Sequence, residues 1–263
     1  MHKIVIILYG QPGSGKGTQA NLLAQKLNLI HFDTGKYLES VINDPKRQKS
    51  GLIRREKRLF DGGKLMTPSF VLNEVKRATE RIAKAGWGLV FSGSPRTVYE
   101  AEGLFPVLQK LYGRQNIFIF ELGVSEAESI KRNSNRLLCT VCGYGLLAAF
   151  YPTKNPKFCP VCGGSFYRRS LDKPEVIKVR LREYHNRTAP IFKVAKRFGY
   201  KVTKVNAAPA PSVVLKKVLQ FIIPKHLADK LPYKGKKISA LDAILLASGK
   251  FLTRDSRPQI RTS

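Results

Sequence analysis

The nine residues Gly10-Gln-Pro-Gly-Ser-Gly-Lys16-Gly-Thr18 separate an apolar run from a helical pattern, and that order leaves few folds open. Ile4 to Tyr9 is continuously apolar, as a strand buried on both faces of a parallel sheet must be. Behind the turn, Ala20, Leu23, Ala24 and Leu27 recur at helical spacing. Glycines at Gly13, Gly15 and Gly17 let backbone N–H groups turn inward around a phosphate, beside Ser14. The helix that follows adds the partial positive charge of its N-terminus. Lys16 is placed to neutralise β/γ-phosphates, and a hydroxyl stands two residues later at Thr18. Strand, loop and helix in this order predict a P-loop.

The rest of the text alternates between strand-like and helical stretches. Val71, Val75, Ala78 and Ile82 mark a helix, and Gly88 to Ser92 and Asn116 to Leu122 read as strands. Ser125 and Glu128 form a capping box. Ile177, Leu181 and Tyr184 give a further helical face, as do Ile191, Ala195 and Phe198. Tyr200 to Val205 reads as a last strand, with Val214, Val218 and Phe221 lining a closing helix. Pro106 interrupts one helical pattern after Tyr99. The alternation predicts an α/β fold with a parallel sheet. With 43% hydrophobic residues the chain has material for a core, which excludes disordered and low-complexity classes. No apolar run approaches a membrane span, and the first one meets a glycine turn, not a cleavage site. A cytoplasmic protein is expected.

Two stretches interrupt the alternation. Residues 34–67 are polar and basic, and residues 135–172 hold all four cysteines. Cys139-x-x-Cys142, sixteen residues, then Cys159-x-x-Cys162 is the spacing of a four-thiolate zinc site. Four protein ligands leave no open position, so the metal is expected to be structural. A nucleic-acid-binding ribbon has the same spacing. From Lys225 onward the composition changes to a basic extension, within which Ser239 and Asp242 are placed to cap a short helix through Ala247.

The charge is the outlying quantity. Lys and Arg number 47 against 18 Asp and Glu, a formal net of +29. The extension, residues 225–263, carries nine Lys/Arg against three Asp, net +6. The remaining 224 residues carry 38 against 15, net +23, so the basicity is not a tail property. Such a balance points to polyanionic company: nucleotides, nucleic acid or an anionic surface.

The Gly-Lys-Gly-Thr ending of the loop resembles the adenylate kinase family of nucleoside monophosphate kinases, and other segments agree in order. Asp33-Thr34-Gly35 and Gly63-Lys64-Leu65-Met66-Thr67 resemble the start and end of the monophosphate-binding segment. Ser92-Gly93-Ser94-Pro95-Arg96-Thr97 resembles the family's Asp-Gly-Phe-Pro-Arg-Thr. Arg132 and Arg136 resemble the arginine pair before the lid, and Arg169, Asp172 and Arg180-Leu181-x-x-Tyr184 resemble its exit. The resemblance implies a P-loop core with a five-stranded parallel sheet flanked by helices, over 1–33, 68–134 and 173–224. It also implies a monophosphate-binding insert over 34–67 and a zinc-ribbon-like lid over 135–172.

It further implies Mg-ATP and a nucleoside monophosphate as substrates, AMP first among them, and a monomer. Arg132 would stack on the ATP base and reach its phosphates. Arg96 would hold the monophosphate, with Thr34, Met66, Gly93 and Glu100 around it. Arg136, Arg169 and Arg180 would close over the transferred group. Arginines suit this work because their planar forks bind phosphate oxygens bidentately.

The pattern breaks mostly on the acceptor side. Ser92 replaces an Asp that orders magnesium through water in the family, Lys36 replaces an Asp, and Glu39 replaces a phosphate-binding Arg. Leu171 replaces the first of two lid aspartates. Glu100 replaces a Gln that reads adenine. An ionised Glu100 only accepts hydrogen bonds, so guanine's N1–H and N2–H edge matches it better than adenine's N1 acceptor, while adenine's N6 amine can still donate to it. These breaks, with the charge, give a second expectation: a weak kinase that binds ATP and docks on RNA or a ribonucleoprotein.

Overall fold

The computed structural model describes residues 3–146, 151 and 156–222. The predicted helix at 239–247 and the rest of the extension lie outside the described residues.

β1 (Val5–Tyr9) is the centre of a five-stranded parallel sheet. With β2 (Ile30–Phe32), β3 (Leu89–Phe91), β4 (Ile117–Gly123) and β8 (Val202–Asn206), the order across the sheet is β2-β3-β1-β4-β8. All four pairings are parallel, with Val5 opposite both Leu89 and Ile117. All five β1 side chains are buried, and they divide by the period of two that a strand imposes. Val5, Ile7 and Tyr9 enter one core, and Ile6 and Leu8 enter the other.

Helices cover each face because an apolar strand face left open costs roughly 1.5–3 kcal/mol per large side chain. On the first face lie α4 (Pro68–Lys84), α5 (Val98–Tyr112) and α8 (Ile191–Arg197). On the second lie α1 (Lys16–Leu27) and α9 (Pro211–Ile222). α5 runs through Pro106, and both Pro106 and Glu102, whose carbonyl the missing N–H leaves without its helical partner, are exposed. On α9 the predicted Phe221 is 52% exposed, and Leu219 and Ile222 complete the buried stripe instead.

The segment 34–67 folds as α2 (Thr34–Ile42) and α3 (Gly51–Asp61). Glu56, wholly buried, ties α3 to the start of α4 by accepting from the Thr67 N–H at 2.7 Å and the Thr67 hydroxyl at 2.6 Å. α6 (Glu126–Ser134) starts at the expected cap, where the Ser125 side chain accepts from Glu128 N–H. It leads into a three-stranded antiparallel sheet of β5 (Leu137–Cys139), β6 (Gly145–Leu146) and β7 (Phe166–Tyr167), in the order β6-β5-β7. α7 (Pro174–Glu183) returns to the core and passes into a π-helical turn over Tyr184–Thr188. Among the described residues, no helix is long and apolar enough to cross a membrane.

Candidate active site

The carboxyl ends of β1, β2 and β3 open into one cavity, as ligand sites of parallel α/β sheets do. The loop after β1 is shaped by close approach. Gly13 has φ +78°, and a Cβ there would sit 2.5 Å from Asn133 Nδ2 and 2.8 Å from Ser129 O. The Ser129 hydroxyl also donates to Pro12 O at 2.5 Å, so α6 clamps the loop from behind. Gly13, Gly15, Lys16, Gly17 and Thr18 line the cavity; Ser14 lies buried beneath them. Lys16 Nζ donates to Gly10 O and Gln11 O, each at 2.7 Å. Burial, then repulsion from Arg96, Arg180 and Arg136, pushes the Lys16 ammonium well below the ordinary lysine range. An anion entering the cavity relieves that repulsion.

All six cations expected to act on phosphates line this one cavity: Lys16, Arg96, Arg132, Arg136, Arg169 and Arg180. They come from four separate parts of the chain, so the convergence is a property of the fold. Gly93 gives Arg96 its room, because a Cβ there would lie 2.7 Å from its Nη2. Arg132 is braced by Glu128 at 2.6 Å and donates to Ala207 O and Ala208 O at 3.0 and 2.8 Å. Asp172 holds Arg136 by two bonds, 3.0 and 2.5 Å, and faces Arg180 at 3.6 Å. Arg169 reaches Glu39 on α2 at 3.7 Å. Burial lowers Arg180 from 12.5 to about 9, helped by Arg136, Arg96 and Arg169 and opposed by Asp172. Arg136 and Arg180 thus share the Asp172 carboxylate while Arg169 leans on Glu39, and the cations facing the cavity outnumber the carboxylates that line it, Asp33 and Glu183, an imbalance that phosphate would relieve.

Three residues expected around the monophosphate stand elsewhere. Thr34 and Met66 are buried behind the cavity wall, and Met66 belongs to the core. Glu100 is buried at the third position of α5, where its carboxylate accepts from the Arg96 N–H and the Thr97 hydroxyl, both at 2.9 Å. The Thr97 oxygen in turn accepts from the Glu100 N–H. This is a capping box: the Glu100 carboxylate is engaged with the donors of its own helix start, and it does not line the cavity. The Thr-x-x-Glu spacing that announces such a box was present in the sequence.

Other residues lining the cavity drew no such expectation. His31 Nε2 and the Ser92 hydroxyl are 2.8 Å apart, and His31 Nδ1 and Asn21 Oδ1 are 2.5 Å apart. Burial lowers the His31 pKa, so the neutral ring accepts from Ser92 and donates to Asn21. Tyr184 and Thr188, on the π-helical turn, also line the wall, and Thr188 donates to Arg96 O at 2.9 Å. A larger hollow, about 820 Å³, lies between α2 and α4. Its charges are mixed, with Asp44, Glu74 and Glu80 among Arg47, Arg77, Arg81 and Lys84, and it contains none of the P-loop residues.

The four cysteines converge as their spacing predicts, with all Sγ atoms within 4.8 Å of one another. Cys139 and Cys162 are 3.4 Å apart, and Cys142 and Cys159 are 3.6 Å apart. A tetrahedron with 2.3 Å zinc–sulfur bonds has edges of about 3.8 Å, so the thiols fit zinc. The N–H groups of Val141 and Val161 point to Cys139 and Cys159 sulfur at 3.4 Å each, as knuckle turns around thiolates do. Among the described residues of the small sheet and its knuckles, the buried side chains are Cys139, Cys159 and Leu146, and four thiolates leave a metal no open position, which suits a structural zinc.

Comparison with known proteins agrees with this geometry. A family model described as adenylate kinase matches residues 8–200. The adenylate kinase of Methanothrix thermoacetophila is 34% identical over 203 residues, 77% of this chain and 91% of that protein. That of Caldicellulosiruptor saccharolyticus is 33% identical over 201 residues, 76% of this chain and 90% of its own. That of Thermosipho africanus is 33% identical over 221 residues, 82% of this chain and 98% of its own. With a matching family model over most of the chain and relatives covered nearly end to end, the chain belongs to the adenylate kinase family.

Proposed function

We propose that the protein transfers the γ-phosphoryl group of Mg-ATP to AMP, giving two ADP. The convergence of Lys16 and five arginines on one cavity at the sheet's carboxyl edge carries this reading. Phosphoryl transfer asks little covalent chemistry of a protein; it needs positioning and neutralisation of charge on the moving group. Lys16 and the loop N–H groups take the β/γ end of ATP, whose magnesium arrives as part of the substrate. Arg132, fixed to the strand-to-helix turn after β8, lies toward the nucleoside side of ATP. Arg96 takes the monophosphate, and Arg136, Arg169 and Arg180 surround the group in flight. In this reading 34–67 closes over the acceptor and 135–172 over the donor, with zinc stiffening the second. Closure excludes water and prevents hydrolysis.

A coupled assay with AMP, GMP, CMP and UMP on zinc-loaded protein tests the proposal. AMP turnover is the expected outcome, and no turnover with any acceptor refutes it. Lys16→Ala should lower kcat about a thousandfold, since it removes the ammonium at the transferring phosphates. A cytoplasmic monomer is part of the same reading, checked by light scattering and cell fractionation.

A further inference from the structure

The cations of the cavity leave most of the +29 unexplained, and one element concentrates part of the remainder. Residues 45–64 carry eight Lys/Arg against Glu56 and Asp61, net +6 in twenty residues, a density about twice that of the C-terminal extension. The acids of this segment are engaged. Glu56 is buried against Thr67 and Arg55, and Asp61 pairs with Lys57 at 3.6 Å. Arg47 pairs with Asp44 and Glu74. Lys46, Lys49, Arg54 and Arg58 are exposed, and among the described residues none has a carboxylate within ion-pair distance.

These four stand on α3 and the turn that leads into it, a ridge of positive charge spanning residues 46–58. Arg54 and Arg58 are one turn apart on α3 and share a face, about 6 Å apart along the axis. Arg54 Nη1 donates to Lys49 O at 3.1 Å and Gln48 O at 3.4 Å, which draws the preceding turn onto that face. The opposite face is committed to the interior, with Ile53 and Glu56 buried and Phe60 packed on the core. Like charges one helical turn apart cost a few tenths of a kcal/mol, and no anion of the described residues offsets it.

We propose that this ridge binds the phosphate backbone of single-stranded RNA. A row of cations matches a repeated anion, whereas a single small anion would engage one or two of them. An anionic membrane fits less well, because interfacial helices dip an apolar face and that of α3 is turned inward. Leu52, 46% exposed, is the large hydrophobe that α3 shows to solvent. None of the four cations lines the nucleotide cavity, so the surface goes beyond the transfer reaction.

The test is fluorescence anisotropy of the full-length, zinc-loaded protein with a labelled oligouridylate, from 50 to 200 mM salt. Four phosphate contacts to a single strand give a log–log salt slope of about −3, roughly a fiftyfold loss of affinity over that range. The variant Lys46→Ala/Lys49→Ala/Arg54→Ala/Arg58→Ala should lose on the order of a thousandfold at 50 mM salt and flatten the slope by about 3. A control removing four exposed cations elsewhere, Lys110→Ala/Lys201→Ala/Lys216→Ala/Lys217→Ala, should change affinity less than fivefold. Far-UV circular dichroism and a thermal midpoint matching the parent show that both variants are folded. Equal losses in the two variants would mean bulk charge alone, and unchanged binding in the first would move the contact to the extension; either overturns the ridge. Loss of binding to phosphatidylserine vesicles with RNA binding intact would overturn it in favour of a membrane.

Discussion

Arg180→Met should stabilise the free protein while destroying its activity. The Arg180 guanidinium lies 3.6 Å from Asp172, and burial, then repulsion from Arg136, Arg96 and Arg169, lowers its pKa to about 9. It keeps its proton at neutral pH, so the displacement is a cost borne by the charged form. At about 1.4 kcal/mol per tenfold in proton affinity, that cost is roughly 5 kcal/mol. The side chain is still 22% exposed, and solvent screening makes this a ceiling. The folded value lies below the unfolded one. The cost is therefore fully present below about pH 9 and fades as pH rises through 9 toward 12.5.

Methionine keeps an apolar stem and drops the charge. The change gives up the bond from Arg180 Nη1 to Leu171 O at 3.2 Å and the looser contact to Asp172, roughly 1–2 kcal/mol together. Asp172 retains both bonds from Arg136. The net expectation is a gain of about 1–3 kcal/mol, which for a chain of this size raises Tm by roughly 2–4 °C per kcal/mol. Calorimetry in a phosphate-free buffer at low salt measures it. Transfer to AMP should fall about a thousandfold, because a cation at the moving phosphoryl group is worth at least that much. Pyrophosphate should raise Tm more for the parent than for the variant, since it relieves a crowding the variant lacks. A lower Tm for the variant in phosphate-free buffer would refute the claim that the free cavity is electrostatically strained.

Glu39→Gln should lower the KM for AMP by up to about fivefold with kcat unchanged, because the Glu39–Arg169 pair competes with an incoming phosphate and exposed pairs are worth about 0–1 kcal/mol. A KM that rises would show that Glu39 positions Arg169 for the substrate. Glu100→Ala should cost about 1–2 kcal/mol through loss of the capping box, yet leave the ratio of AMP to GMP turnover within twofold. A tenfold change in that ratio would return Glu100 to the acceptor base. Atomic absorption should find one zinc per chain, and chelation or Cys159→Ser should abolish the near-UV signal of the tyrosines beside the cysteines while the core's helical signal persists. Unchanged spectra and turnover after complete zinc removal would show that the lid sheet stands without it.

What could be read from the text followed the range of the forces involved. The P-loop is local: a buried strand, glycines whose backbone must turn, and a helix opening at Lys16 are all written within 27 residues. The cysteine cluster was legible because metal geometry constrains spacing. β2 escaped notice because it has three residues and carries His31, too little to show a period. The Asn21–His31–Ser92 chain escaped because its members lie on a helix and two strand ends that meet only once the sheet is ordered. Glu100 is instructive. Resemblance pointed it at a base, while its own spacing from Thr97 pointed it at the backbone, and the shorter-range demand prevailed. A buried carboxylate without donors is costly, and a helix N-terminus is the nearest set of unpaired donors. The arginines show the converse. Composition and periodicity do not distinguish Arg96 or Arg180 from the chain's other cations; motif resemblance singles them out, and the fold determines that Arg136 and Arg180 share one carboxylate while Arg54 and Arg58 on α3 have none within ion-pair distance among the described residues. In a chain this basic, cation count says little about function; the placement of its few acids, Asp172 buried behind the cavity's arginines and Glu56 buried on the inner side of α3, separates a site prepared for phosphate from a surface left open to it.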